Sequence, residues 1–258
     1  MEKWKLLLTT LPYVLGILVV KFFLSYLLNF TGIMEFSEVA LVLTGGIFLI
    51  GFMLAGTMAD YKESEKIPAE LACALETAED TIEQLTYNAK DPSKFNVKEI
   101  KKNLLTVGDV ILKWLRKQES AETMFQTLNN FILQVSEMEK LGANGGGCGK
   151  VMGDIHNIRK LVTRISVISR TGFLATGYAL LEVLIASIFI ILMISKFKSI
   201  ISEIIIVGFV SLIYIYMYRL IKDIDDPFEY DISKEPGVTE IPLFPIEEYL
   251  ERLQKRII

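Results

Sequence analysis

"TGGIFLIGFMLAGTMADYKESEKIPAE", residues 44–70, decides how this chain is read. Its first half is uncharged and punctuated by glycines and phenylalanines, and from Asp60 onward acidic and basic residues alternate. An apolar run of this kind, extended back to residue 40, approaches the roughly 20 residues that a helix needs to cross the hydrocarbon core of a bilayer. The charged half then marks the point where the chain leaves the membrane. With 52% hydrophobic residues and a mean hydropathy of +0.41, the chain is more apolar than an ordinary soluble domain.

Three further stretches meet the same length demand, so the expected spans are about 6–28, 40–58, 173–195 and 200–218. The first is too long, and too poor in small residues near its end, to be a cleaved signal peptide, and it is expected to remain as a spanning helix. Short connections, "NFTGIMEFSEV" and "KFKSI", make each pair a helical hairpin. The expected organisation is a first transmembrane hairpin over 1–58, a helical region over 59–170, a second hairpin over 171–219 and a tail over 220–258. Lys3, Lys5, Lys62, Lys66, Arg159, Lys160, Arg164, Arg170, Arg219 and Lys222 share one side of the membrane, against Lys196 and Lys198 on the other. The positive-inside rule therefore puts both termini and the middle region in the cytoplasm of a multi-pass cell-membrane protein, with the Lys196/Lys198 pair discordant.

The middle region reads as amphipathic helices. Leu71, Leu75, Ala78, Ile82 and Leu85 recur at three- and four-residue steps, as do Ile100, Leu104, Val107, Ile111 and Leu115, then Met124, Leu128, Ile132 and Val135. Each set is one buried stripe of a cytosolic bundle. "GANGGGCGK", with its glycines over 142–149, is expected to be a loop because glycine loses more backbone entropy than any other residue on entering a helix. It is not a phosphate-binding loop: Asn144 stands where a P-loop has its first Gly, and Val151 where it has Ser or Thr.

The same inventory excludes whole function classes. A net charge of -4 offers no basic surface for nucleic acid. One histidine, His156, and two distant cysteines, Cys73 and Cys148, form no metal spacing and no nucleophile arrangement, so no enzyme and no cofactor are expected. Ionisable residues inside the spans carry more information, because a charge in the bilayer must be paired or hydrated. Lys21 in the first span and Glu182 in the third could pair within the bundle or each line a hydrated passage, and Lys21 could instead snorkel to the interface. On the second span Thr44, Phe48 and Phe52 stand at i, i+4 and i+8 and form one stripe. Gly45, Gly46, Gly51, Ala55 and Gly56 would let neighbouring helices approach closely.

Two stretches resemble the bestrophin channels. In "IGFMLAGTMADYKESEKIP" the pair Gly51-Phe52 is followed by Tyr61-Lys62-Glu63, like the Gly-Phe pair and cytoplasmic-exit Tyr-x-Glu of that family. In "RLIKDIDDPFEYDISKEPGVTEIPLFPIEEYLERL" the run Asp226-Pro227-Phe228 is followed by Ile241-Pro242-Leu243 and a final helix, in the order of the bestrophin tail. The resemblance implies an all-α homo-oligomer of five subunits around one axial pore, surrounded by membrane lipids and passing small inorganic ions. It also implies a hydrophobic neck of Phe52, Phe48 and Thr44, with polar Thr44 wetting the outer part. Chloride or another small anion is the family expectation; an acidic cytosolic surface of Glu63, Glu65, Glu70, Glu76, Glu79, Asp80 and Glu83 would favour cations if it lined the path. Of the family's calcium ligands the resemblance retains Asp231 and replaces another with Lys234, and a lone carboxylate falls far short of the six to eight oxygens that calcium takes. A non-conducting scaffold or sensor for a cytoplasmic protein is the alternative, and it expects Phe48 and Phe52 to pack within one subunit.

Overall fold

The computed structural model describes residues 4–171, 175–230 and 239–257. Four of its helices are long and apolar enough to cross a membrane. They are carried by α1 (Lys5–Phe22, extended by a wider helical turn over Phe23–Leu27), α2 (Phe36–Ser64), α7 (Ala175–Ile194) and α8 (Ile200–Asp225). The protein is therefore an all-α multi-pass membrane protein. Between and after these helices come α3 (Ile67–Tyr87), α4 (Val97–Leu115), α5 (Ala121–Lys140), α6 (Gly145–Thr171) and α9 (Phe244–Ile257). The chain divides into two compact units, Met1–Tyr61 with Thr171–Asp226 and Lys62–Arg170 with Pro227–Ile258.

In the first unit Leu43, Ile50 and Met53 of α2 pack with Leu181, Ile188 and Leu192 of α7 and with Tyr214 and Ile221 of α8. Of the glycines on α2, Gly46 alone sits at a close approach to the described residues. A Cβ there would collide with the Tyr214 hydroxyl and lie 2.7 Å from Ile188 Cδ1, whereas Gly45, Gly51 and Gly56 have nothing within 4 Å. The Tyr214 hydroxyl uses the space to donate to the Leu43 carbonyl at 2.6 Å, which satisfies a polar group that burial would otherwise penalise. α1 lies along α8, where Gly208 meets Leu18. The hairpin connections also pair: β1 (Met34–Glu35) and β2 (Ser195–Lys196) form a short parallel ladder. Gly32 makes this possible, since it has φ +81° and a Cβ would sit 2.9 Å from the Lys196 backbone nitrogen.

The second unit is a helical bundle built on the expected stripes. Leu71, Leu75, Ala78, Ile82 and Leu85 are buried, as are Ile100, Leu104, Val107, Ile111 and Leu115. On α5 the stripe shifts: Phe131 is buried with Met124, Leu128 and Val135, while Ile132 is only partly covered. Asn96 and Ser120 cap α4 and α5 by accepting from the backbone of Glu99 and Thr123.

The glycine-rich segment corrects the expected loop. The chain turns between α5 and α6 at Gly142, φ +105°, where Ala143 N–H reaches the Met138 carbonyl and Gly142 N–H the Glu139 carbonyl, both at 3.0 Å. Helix resumes at Gly145, with the Asn144 side chain accepting from Gly147 N–H at 3.2 Å. Glycine at 147 allows α6 to approach α3 closely, since a Cβ there would overlap the Leu85 side chain.

The tail folds onto this bundle. The carbonyl of Pro227 accepts from Ile241 N–H at 3.1 Å, and the Tyr230 hydroxyl donates to the Ile241 carbonyl at 2.7 Å. Phe228 and Leu243 are buried beside them. α9 then lies against α3 and α4, with Leu250 over Gly108.

Candidate functional site

α2 presents two contrasting faces because its side chains turn about 100° per residue. Leu43, Ile50 and Met53 point into the unit, and the opposite side carries Thr44, Phe48 and Phe52. Phe48 is 68% and Phe52 62% exposed within the chain, and their rings meet edge to face at 4.6 Å. This stripe is a preassembled aromatic surface with no partner from its own core. Thr44 is exposed, and its hydroxyl donates to the Ala40 carbonyl at 3.0 Å, so its one donor is already used inside the helix.

Lys21 and Glu182 do not pair. Lys21 is buried at the end of α1 and donates to the carbonyls of Met193 at 2.9 Å and Ser195 at 2.8 Å, where α7 ends. Its carboxylate partner is Glu203 in the first turn of α8, at 3.4 Å, and the Phe197 ring lies 5.3 Å away. Ser25 donates to Glu203 at 2.9 Å, and Tyr26 at 3.2 Å. One ammonium thus neutralises the negative end of α7 and a carboxylate on α8 together. Glu203 was legible as a charge inside the fourth span, but its partner is 182 residues distant in the chain. Glu182 is exposed and accepts from the Tyr218 hydroxyl at 2.9 Å, while Tyr178 donates to Asp225 at 3.0 Å.

The exit-motif residues separate. Tyr61 is half-buried at the last turn of α2. Glu63 takes a two-pronged contact from Arg164 of α6, Nε to Oε1 at 3.0 Å and Nη2 to Oε2 at 2.8 Å, and this holds its carboxyl below the usual carboxylate range. The other acidic residues expected to form a cation-attracting surface are largely paired within the second unit. Glu79 is buried and takes Arg256 through Nε at 2.9 Å, Lys101 at 3.3 Å and the Tyr249 hydroxyl at 3.4 Å. Burial pushes the Tyr249 phenol up, and the bond to Glu79 raises the Arg256 guanidinium. Glu76 takes Arg252, Glu83 takes Lys101, and Glu65 takes Lys62. Glu70 and Asp80 are exposed.

Among the described residues no group of three or more His, Cys, Asp or Glu could hold a metal ion, and Asp231 with Lys234 lies outside them. In the tail motif Pro227 and Phe228 are buried, and Asp226 ends α8.

No protein-family model matches the sequence, and no curated protein matches it. Solved structures do. A mutant of a bacterial bestrophin homologue from Klebsiella pneumoniae is similar with a TM-score of 0.76 at 12% identity, over 98% of each chain. A second mutant of that homologue has a TM-score of 0.73 at 12% identity, over 100% of this chain and 99% of the other. A third structure of it has 0.73 at 11% identity, over 97% of each. The backbone match runs through both membrane hairpins, the helical bundle and the tail, at an identity too low for side chains alone to show it: this chain has the bestrophin fold.

Proposed function

We propose that this protein is a homo-oligomeric, passive ion channel of the cell membrane, with five subunits placing their α2 helices around a common axis. The observation that carries the reading is the Thr44–Phe48–Phe52 stripe, turned away from the packed face of α2 in a chain of bestrophin fold. Rings of phenylalanine from several subunits form a constriction that dewets, and polar substitution there lets water and ions through. The orientation that fits has the Lys/Arg-rich ends of the spans, and with them both termini, in the cytoplasm.

Small anions are the favoured cargo. The acidic surface that would argue for cations is mostly consumed by ion pairs to Arg164, Arg252, Arg256, Lys101 and Lys62, so its outward field is largely cancelled. A scaffold whose phenylalanines pack inside one subunit is disfavoured by the exposure of both rings.

The test is single-channel recording of the purified oligomer in planar bilayers under asymmetric salt, with wild type beside Phe48→Ala/Phe52→Ala. Discrete currents that grow in the double variant, with a reversal potential on the anion side, are the expected result. Intact oligomers that stay silent in both forms refute conduction, and a reversal potential on the cation side refutes the assignment of cargo.

A further inference from the structure

Among the described residues, Arg219 is a cation of the membrane-spanning unit that is held between two helices without a counter-charge. Arg219 lies near the end of α8, turned toward α1, with its guanidinium 5.6 Å from the centre of the Tyr13 ring and Nη1 donating to the Thr10 hydroxyl at 3.3 Å. No carboxylate among the described residues pairs with it, whereas Lys21, the other cation held between these helices, has Glu203. A guanidinium carries five N–H donors, and the described residues take one of them. The others are open to an acceptor supplied from the membrane interface, since Arg219 is only partly buried.

The surroundings say which acceptor fits. Thr10 and Tyr13 sit on the second and third turns of α1, about 8–12 Å along the helix from Lys5 at 1.5 Å per residue, and Arg219 is the first residue after the expected fourth span, at its lysine- and arginine-rich end. Lys5 and Lys222 are exposed at the ends of the same two helices and form no ion pair among the described residues. Trp4 and Tyr13, each 61% exposed, are placed as interfacial anchors are, with Leu8, Leu11 and Leu15 exposed on the same helix for acyl chains. Asp223, one turn beyond Arg219, is the competing acid, but Arg219 turns to the aromatic ring on α1 instead. A guanidinium set 5.6 Å over a ring keeps N–H groups open, and its planar fork matches the two oxygens of a phosphate.

We propose that Arg219, braced by Tyr13 and Thr10 at the α1–α8 seam, binds the phosphate of an anionic phospholipid at the cytoplasmic interface. Lys5 and Lys222 add attraction without directional contact. The site is distinct from the α2 stripe, and its occupancy does not depend on whether the protein conducts.

The experiment uses the purified full-length oligomer in nanodiscs of phosphatidylcholine with rising fractions of phosphatidylglycerol, read by native mass spectrometry for retained lipid and by thermal midpoint. Wild type is expected to prefer phosphatidylglycerol about tenfold, as one charge-assisted contact implies. Arg219→Gln loses that preference, and Arg219→Lys keeps part of it, because the charge remains and the fork does not. Equal preference in wild type and Arg219→Gln overturns the proposal. So does full stabilisation of wild type by inorganic phosphate in pure phosphatidylcholine, which would make the ligand a free anion. Dissociation of the Arg219→Gln oligomer in both lipids also overturns it, since the acceptor would then be a carboxylate of a second copy.

Discussion

Glu79→Ala removes the carboxylate on which the tail helix is fastened. In the folded chain Glu79 is 1% exposed and holds Arg256 of α9, Lys101 of α4 and the Tyr249 hydroxyl. Breaking one side of a buried ion pair costs about 3–5 kcal/mol, because the remaining charge stays desolvated. Two features lower that figure here. Lys101 keeps Glu83, and the Arg256 side chain is 38% exposed and regains water. The expected loss is therefore about 2–3 kcal/mol. For a chain of this size each kcal/mol moves the thermal midpoint by about 2–4 °C, so the shift is about 4–12 °C downward. Intrinsic-fluorescence melting of the detergent-purified oligomer measures it. Replacing the whole set, Glu79→Leu with Lys101→Met and Arg256→Leu, should recover most of the loss, since no buried charge is left unpaired. A midpoint within about 1 °C of wild type for Glu79→Ala would refute the reasoning, because an unpaired charge beside a vacated core site cannot be neutral.

The other expectations concern both units. Lys21→Met strands Glu203 and the carbonyls at the end of α7 and should lower the midpoint by more than Lys21→Met/Glu203→Gln, a comparison that the same melting curves make. Gly46→Leu must displace Tyr214 and Ile188 and break the bond to Leu43, so size-exclusion profiles should show loss of folded oligomer, with a destabilisation of about 1–3 kcal/mol or more. The carboxyl of Glu63 is held below its ordinary value of 4.5 first by the bond from Arg164. A depressed folded value means that the bridge stabilises above the ordinary value and is lost as pH falls through the folded one. Wild type should therefore exceed Glu63→Gln at pH 7 by at most about 1 kcal/mol, given the exposure of the pair, and the two should converge at low pH. Melting midpoints of both proteins across pH 3–7 decide it.

The limits of sequence reading show most clearly at the glycines and the charges. "GANGGGCGK" has a composition that disfavours helix, yet Gly145–Lys150 are helical, and at Gly147 the missing side chain is what lets the helix pack against Leu85. Nothing within the segment records the presence of Leu85. Gly45 and Gly46 are adjacent in sequence and look equivalent, but only Gly46 faces Tyr214, since a step of one residue turns the helix by about 100°. The acidic run over residues 63–83 reads as one negative surface until Arg164, Arg252 and Arg256 arrive from α6 and α9.

By itself the sequence determined that four helices are long and apolar enough to span, the buried stripes of α3 and α4 and the Thr44–Phe48–Phe52 face, whereas α1 packs along α8 and the α5 stripe runs through Phe131 in place of Ile132. The spans, the two stripes and the face follow from the local density and period of apolar residues, which a helix converts directly into length and facing. Only the tertiary structure decided that Lys21 meets Glu203, that Glu79 anchors α9, that the tail joins the bundle, and that Arg219 lies over Tyr13 without an ion pair to a carboxylate among the described residues. These contacts join residues about 170–210 apart in the chain, and Coulomb attraction and hydrogen bonding act over a few ångströms of space. Partner choice therefore depends on which helices pack together, and no local pattern carries that information.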